Sequence, residues 1–287
     1  MKFILAVLVC CRFSLLLAAD LPSTPTKPSI VAATYNIRCP IDAPPNDWPA
    51  RASRVAQVIR NRGFEIIGMQ EGNKDQIADL SARLPGFAWV GVGRDDGKTR
   101  GEFNCIFYLA DRFELLKSET FWLSKTPEKP GSRSWNSACA RVCTYGVFRD
   151  RKTGTTLVFA NTHLDHRSPE ARINGAKLIV ERLLASYPDL PIVLTGDFNC
   201  TPGSAPLLAL DGKFYNTLTI SRTPHAGPDS TFSAFVVDPA KRKTGFEIDY
   251  IFVSRGVTVL SHTTCDDLVD NLCPSDHFPV TAKIVLP

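Results

Sequence analysis

The chain has 287 residues, 44% of them hydrophobic and 22% charged, and carries a formal net charge of +4. That length and apolar share suit a folded body with a large core and exclude a disordered or low-complexity chain. The weak positive balance, which drops to +2 if Lys2 and Arg12 leave with an N-terminal leader, excludes a surface so basic that composition alone would announce a nucleic-acid binder.

In chain order, Lys2 is followed by an almost unbroken apolar run to Ala19, which predicts a signal peptide over residues 1–19 and an exported, secreted or periplasmic protein. Arg12 interrupts that run and argues against a membrane span. Val9 precedes Cys10 where a lipid-anchored leader would want a small residue. No later segment is apolar over a span long enough for stable membrane insertion. Residues 20–28 form a Pro-rich linker, and 29–287 are expected to be one domain, acting as a monomer.

The domain opens with SIVAATYNI, an apolar β-type run, and continues with helical spacing from Trp48 to Asn61, stopped by Gly63. EIIGMQE reads as a buried strand ending in a carboxylate, and Lys74–Leu84 as a helix. FAWVGVG, NCIFYLA and FELLKSETFWLS follow as strands. RVCTYGVFRD and TTLVFANTHL flank RKTG as a hairpin. Pro169 after Ser168 starts a helix that runs toward Ala185. Leu190–Leu194 leads as a strand into TGDFN, Leu207–Leu210 suggests a short helix, and DYIFVS, VTVLSHTT and VTAKIVL are strands. Strand–helix alternation in both halves predicts an α/β sandwich, two sheets packed together with helices outside.

Seven cysteines remain beyond the leader, an odd number that cannot all pair internally. Cys139/Cys143 and Cys265/Cys273 are the first disulfide candidates for an exported chain, with buried free thiols the equally open alternative. No CxxC or clustered Cys/His spacing supports a structural zinc site.

The polar residues of interest recur just beyond apolar strands, where α/β folds place ligands. Asn36, Glu71, Asn161, His163, Asp165, Asp197 and Asn199 all follow such runs, Asp249 precedes one, and Asp276–His277 precede another. Singly, each has an ordinary structural explanation: Asn36 as a turn cap, Glu71 as a surface carboxylate, Asp197-Phe198-Asn199 as an Asx turn. As a set they match hydrolysis of a phosphate ester, which needs a hard cation, a base to aim water, and donors for developing charge. Glu71 offers an oxygen ligand suited to Mg²⁺ or Mn²⁺. Asp197 and Asn199 are two apart on one extended segment, so the period of two puts both on one face, one to orient water and the other to donate. Asp249 is the natural carboxylate partner for His277.

TYNIR, MQE, NTHLDH, TGDFN, IDYIFVS and SDHFPV together resemble the endonuclease/exonuclease/phosphatase superfamily, in family order over nearly the whole chain after the leader. That group includes pancreatic-type deoxyribonucleases, abasic-site endonucleases, neutral sphingomyelinases, inositol polyphosphate 5-phosphatases and deadenylases. NDWPAR, VGVGRDDG, FWLS and SWNSA add a resemblance to a bacterial-type branch. The resemblance implies a four-layer α/β sandwich with two packed mixed β-sheets flanked by helices. It also implies Mg²⁺ (or Mn²⁺) as cofactor, with Glu71 as main metal ligand, Asn36 beside it and Asp276 near the metal or its water. Asp197 would orient or deprotonate the attacking water. Asn199 and His163 would stabilise the pentacovalent phosphorus. His277, held by Asp249, would contact phosphate, as would Asn36 and Arg141. Asp165 stands at a position that varies across the superfamily. The departures are Cys39, Cys143 and Cys200, thiols beside the motifs that act either as fillers or as redox-sensitive groups.

The expected partner is a phosphorylated substrate. Nucleic acid is one candidate, for which Lys241-Arg242-Lys243 would supply charge and Trp122 and Trp135 stacking surfaces. No exposed apolar hairpin of the kind a lipid-cleaving relative would use is evident. A non-catalytic phosphate-binding module would be expected to lack Glu71, Asp197, Asn199 or His277, and all four are present.

Overall fold

The computed structural model describes residues 27–287 apart from Phe246. The expected leader and nearly all of the Pro-rich linker lie outside the described residues. Twelve strands form two six-stranded mixed sheets. The first has the order β11(Thr258–Thr264), β12(Val280–Val285), β1(Ile30–Asn36), β2(Ile66–Gln70), β4(Ile106–Leu109), β3(Phe87–Val90). The second has the order β5(Phe113–Trp122), β6(Val142–Asp150), β7(Thr156–His163), β8(Ile192–Asp197), β10(Asp249–Ser254), β9(Phe214–Asn216). Each sheet has one parallel pair at its centre, β1 with β2 and β7 with β8, and antiparallel neighbours around it. A helix links each parallel pair, α1(Trp48–Asn61) in the first and α3(Pro169–Ser186) in the second. This is the physical form of the strand–helix alternation found in both halves of the sequence.

The period of two along the central strands assigns the layers. Ile30 and Ala32 of β1, Leu157 and Phe159 of β7, and Val193 of β8 meet in the core between the sheets. Ala33 and Tyr35 turn the other way, onto Val55 and Ile59 of α1 and onto Ile77 and Leu80 of α2(Lys74–Arg83). Val158, Ala160, Ile192 and Leu194 pack on Ile179 and Leu183 of α3. The result is the expected four layers, helix–sheet–sheet–helix. Local chemistry sets the helix ends. Asn73 and Gln76 form a reciprocal capping box on α2, and the Ser168 hydroxyl accepts from Ala171 N at the start of α3.

The short helix expected over Leu207–Leu210 forms two residues earlier, as α4(Ala205–Leu208). The short β9 and the one-turn α5(Thr217–Ile220) carry too few residues to show a period and were not expected. Neither candidate disulfide forms: all seven described cysteines are free. Alternation on β6 turns Cys143 into the helix-side core, while Cys139 sits outside that strand at the cleft. Cys265 and Cys273 are each buried, and the Cys265 thiol contacts Thr281 Oγ1 at 3.8 Å.

Candidate active site

The same inward-facing positions that build the inter-sheet core become polar toward the strand ends. Thr34 and Asn36 continue the face of Ile30 and Ala32, Gly68 and Gln70 continue Ile66, and Asn161 and His163 continue Phe159. Thr195 and Asp197 do the same for Val193. A buried polar layer closes the core first. Gln70 Nε2 donates to Thr34 Oγ1 at 3.0 Å and to Asn161 Oδ1 at 2.7 Å, and Asn161 Nδ2 donates to the carbonyls of Met69 and Cys105. Asn161 therefore ties one sheet to the other and is committed to structure. Gly68 is required here, because a Cβ would stand 2.2 Å from Thr195 Oγ1.

Above this layer lies a cleft of about 1010 Å³ between the strand ends of both sheets. Pairing brings His163, Asp197 and Asp249 into one lateral row, since Asp197 is in register with His163 on β7 and with Asp249 on β10. Glu71, Asp197 and His277 offer ligand atoms that all lie within 4.8 Å of one another. Asn36 sits among them. Its Nδ2 donates to Glu71 Oε1 at 2.9 Å and to Asp197 Oδ2 at 3.0 Å. Its Oδ1 accepts from Arg38 N at 3.0 Å, so Asn36 meets the centre through its amide nitrogen. Glu71 takes a left-handed backbone conformation, φ 67°, and its Oε2 accepts from Cys39 N. Asp276 stands to one side, buried, with Oδ2 at 3.5 Å from Arg38 Nη1.

Electrostatics separate these groups. Burial pushes the Asp197 carboxyl up to about 7, reinforced by the neighbouring Asp249 and opposed by His277. Burial would likewise raise Glu71, but His277, the Asn36 amide and Cys39 N hold it below the usual carboxylate range. Asp276 is raised by burial. Burial would lower His277, yet Asp249 at 2.8 Å, with Asp197 and Asp276 near, holds it well above the usual imidazole range, so it is charged. Four carboxylates thus converge on one imidazolium and the Arg38 guanidinium. Such a surplus of carboxylates, presented through hard oxygens, fits a divalent cation.

GDFN does not extend as the shared-face argument requires. β8 ends at Asp197, Asn199 has φ 49°, and Asn199 N donates to Asp197 Oδ1 at 2.9 Å. The Asx turn is the arrangement adopted, and it carries Asn199 to the cleft by a different route. Asn199 Nδ2 donates to His163 Nε2 at 2.9 Å and to Leu164 O at 3.0 Å. The amide cannot be turned over, because its oxygen would then face the Leu164 carbonyl. His163 Nε2 is therefore an acceptor. Burial, with Arg141 next, keeps this histidine well below the usual imidazole range and so neutral.

Arg141, immediately before β6, also lines the cleft. Asp165 does not face the centre: its carboxylate accepts from the backbone of Ala138, Arg167 and Ser168. Of the thiols beside the motifs, Cys39 and Cys200 line the cleft but Cys143 does not. Trp122 is no stacking surface: it is buried and its Nε1 donates to Arg94 O. Arg242, in the middle of the basic run, is spent on the carbonyls of Val236 and Val237 and on Asp266.

Arg51, Arg38 and His166 emerge only from the three-dimensional arrangement, although NDWPAR, TYNIR and NTHLDH contain them. Arg51 is fully buried and donates to the carbonyls of Ile37, Arg38 and Pro274, joining the loop after β1 to the one that carries Asp276 and His277.

The family model described as "Endonuclease/Exonuclease/phosphatase family" matches residues 33–277. The fold is similar to that of the endonuclease/exonuclease/phosphatase from Bacteroides vulgatus, with a TM-score of 0.84 and 36% identity over 91% of this chain and 100% of that one. It is similar to the same degree, TM-score 0.84, to a mannosyl-6-phosphatase from Bacteroides thetaiotaomicron, 33% identical over 90% of this chain and 100% of that one. The human Nocturnin catalytic domain shares the fold at a TM-score of 0.70 and 18% identity, covering 91% of this chain and 94% of that one. Among curated sequences, the Drosophila melanogaster protein angel is 28% identical over 58% of this chain and 48% of its own length. The chain spans about a third to a half of the curated relatives it matches first.

Proposed function

Because this chain belongs to the endonuclease/exonuclease/phosphatase family, whose members are phosphate-ester hydrolases dependent on a divalent metal, we propose that it hydrolyses a small phosphate ester with Mg²⁺ or Mn²⁺ by direct attack of water. The observation that carries this reading is the convergence of Glu71, Asp197 and His277 within 4.8 Å on the floor of the cleft. Glu71 would hold the metal, with Asp276 near, while Asn36 steadies the Glu71 and Asp197 carboxylates through its amide nitrogen rather than ligating the cation, which would supply neutralisation of the phosphate oxygens. Asp197, whose proton affinity is lifted toward neutrality, orients and deprotonates the attacking water. His277, kept charged by Asp249, binds a phosphate oxygen, and Arg141 binds another. Asn199 and His163 line the far side of the phosphate, and binding there has to redirect the Asn199 amide hydrogen now given to His163.

A small ester is favoured over a polynucleotide by the withdrawal of Trp122 and Arg242 into the structure. The named activity of the Bacteroides thetaiotaomicron neighbour points the same way. Nuclease action in the same site is the second reading, favoured by the shared fold with a Danio rerio TDP2 complexed with single-strand DNA product, TM-score 0.70. A panel of sugar phosphates, inositol phosphates, RNA and plasmid DNA with added Mg²⁺ or Mn²⁺ tests both. Turnover of a sugar phosphate above the nucleic acids is expected. Preferential cleavage of RNA or DNA would transfer the proposal to the second reading, and no metal-dependent hydrolysis of any ester would overturn it. Export as a monomer after cleavage of residues 1–19 is proposed with it, to be checked by N-terminal sequencing and light scattering of the mature protein.

A further inference from the structure

Beside the carboxylate centre, Cys139, Asp165 and His166 offer ligand atoms within 4.8 Å of one another. Thiol, carboxylate and imidazole would suit a soft divalent metal. A cation already occupies that trio, however: Arg141 Nη2 lies 2.9 Å from His166 Nδ1, and Arg141 Nε lies 3.7 Å from Asp165 Oδ2. The cluster is better understood as the seat of a guanidinium.

A guanidinium carries only donors, so His166 Nδ1 must be the acceptor, and the ring is neutral with its hydrogen on Nε2. Partial burial first, and Arg141 next, lower the basicity of this imidazole, against the opposing pull of Asp165 and with Arg167 and Arg94 acting in the same sense as Arg141. Asp165 itself is held fast by its three backbone donors, from Ala138 on one loop and Arg167 and Ser168 on the other. It anchors the two loops, while the short contact to the guanidinium comes from His166. Arg141 is 4% exposed, and its Nε and Nη1 have no hydrogen-bond partner. Two uncommitted donors on a buried cation are costly unless something accepts from them. Arg141 lines the same cleft as His163, Asp197 and Asn199.

We infer that His166 is a positioning residue: it holds the Arg141 guanidinium by one edge so that the remaining donors are set to receive a tetrahedral oxyanion. The inference rests on the phosphate-ester reading, but its test does not need turnover. Binding of inorganic phosphate to the metal-loaded protein is measured by calorimetry, with KM and kcat for any ester the panel identifies. His166→Ala is expected to weaken phosphate binding and raise KM about ten- to hundredfold, as for loss of a hydrogen bond to a charged group, with a smaller change in kcat. His166→Asn and His166→Gln, which can keep an acceptor, should recover much of the loss, and His166→Lys should not. In an Arg141→Ala background, His166→Ala should cost nothing further. Phosphate affinity within about twofold of wild type in His166→Ala, or an undiminished cost in the Arg141→Ala background, would overturn the inference. Nitrogen NMR of the His166 ring gives a readout independent of affinity, and a ring protonated at Nδ1 at neutral pH would equally overturn it. If no ester is hydrolysed but phosphate binding follows this pattern, the functional proposal fails and the positioning role stands.

Discussion

His277 Nδ1 donates to Asp249 Oδ2 at 2.8 Å, across a sequence separation of 28 residues, and both groups are buried. Thr231 Oγ1 donates to the same carboxylate oxygen at 2.6 Å, so the carboxylate is oriented before it meets the histidine. Asp249→Asn keeps the shape and removes the charge that holds His277 protonated. It is expected to lower kcat by about 10²- to 10⁴-fold, the range for losing a group that sets the state of a catalytic histidine. Steady-state kinetics with saturating metal checks it, and a loss smaller than about tenfold would show that His277 does not depend on Asp249.

Metal should stabilise the fold as well as activate it. The carboxylates of Glu71, Asp197 and Asp276 crowd together, and a cation bound only by the folded state adds stability with concentration, about 2.7 kcal/mol at a hundred times its Kd. Mg²⁺ or Mn²⁺ should therefore raise the melting temperature, and chelator should lower it while abolishing activity. Glu71→Gln should erase the metal-dependent shift without lowering the metal-free melting temperature. A Glu71→Gln protein that still shows the full shift would remove Glu71 from the metal site.

Gly68→Ala tests the polar layer beneath the cleft. The added Cβ would fall 2.2 Å from Thr195 Oγ1 and 2.5 Å from Asn161 Oδ1, and neither atom is the end of a long flexible side chain. A cost of about 1–3 kcal/mol or more is expected from such overpacking. Urea unfolding gives the value, and an unchanged midpoint would mean that the two sheets separate more readily here than their hydrogen bonds suggest.

His262 supplies a pH dependence remote from the carboxylate centre. Its Nδ1 meets Thr217 Oγ1 at 2.9 Å, and that hydroxyl is committed to Ile251 O, so Nδ1 carries the hydrogen. Burial, with His225 beside it, lowers this imidazole to about 3. The unfolded chain, with an ordinary value near 6.5, binds the proton more readily, so stability rises with pH between the two values. The full contribution is present above about pH 6.5 and is lost as pH falls toward 3, at about 1.4 kcal/mol per pH unit. Between pH 7 and pH 5, wild type should lose about 2 kcal/mol more than His262→Gln. Parallel losses in the two proteins would contradict a buried neutral His262.

Much of the architecture was legible because its signals are local. Apolar alternation in VAATY, TLVFA and PIVLT, capping at Asn73 and Ser168, and polar residues at strand ends each lie within a few neighbours. The Asn199 turn was visible only as one of two alternatives, since an Asx turn and an extended strand begin with the same residues. What could not be read depends on partners far apart in sequence. Gln70 meets Asn161 across 91 residues, and Arg51 meets Pro274 across 223. The sequential nearness of Cys139 to Cys143 misled for the converse reason, because alternation on β6 sends Cys143 into the helix-side core while Cys139 stays at the cleft.

The position of β12 governs when the centre can exist. It lies between β11 and β1, and its register runs from Thr34↔Val280 to Ile30↔Ile284. Asp276 and His277 sit directly ahead of it. During vectorial synthesis the first strand of the domain waits, with one edge unpaired, until residues 280–285 have been made. The second sheet, built from contiguous segments, can assemble earlier. A nascent or C-terminally clipped chain would carry Glu71, Asn36 and Asp197 but not the imidazolium that balances them. The carboxylate centre is thus incomplete until Asp276 and His277 have been made and β12 has paired with β1, so that β12 acts as a timer on its assembly.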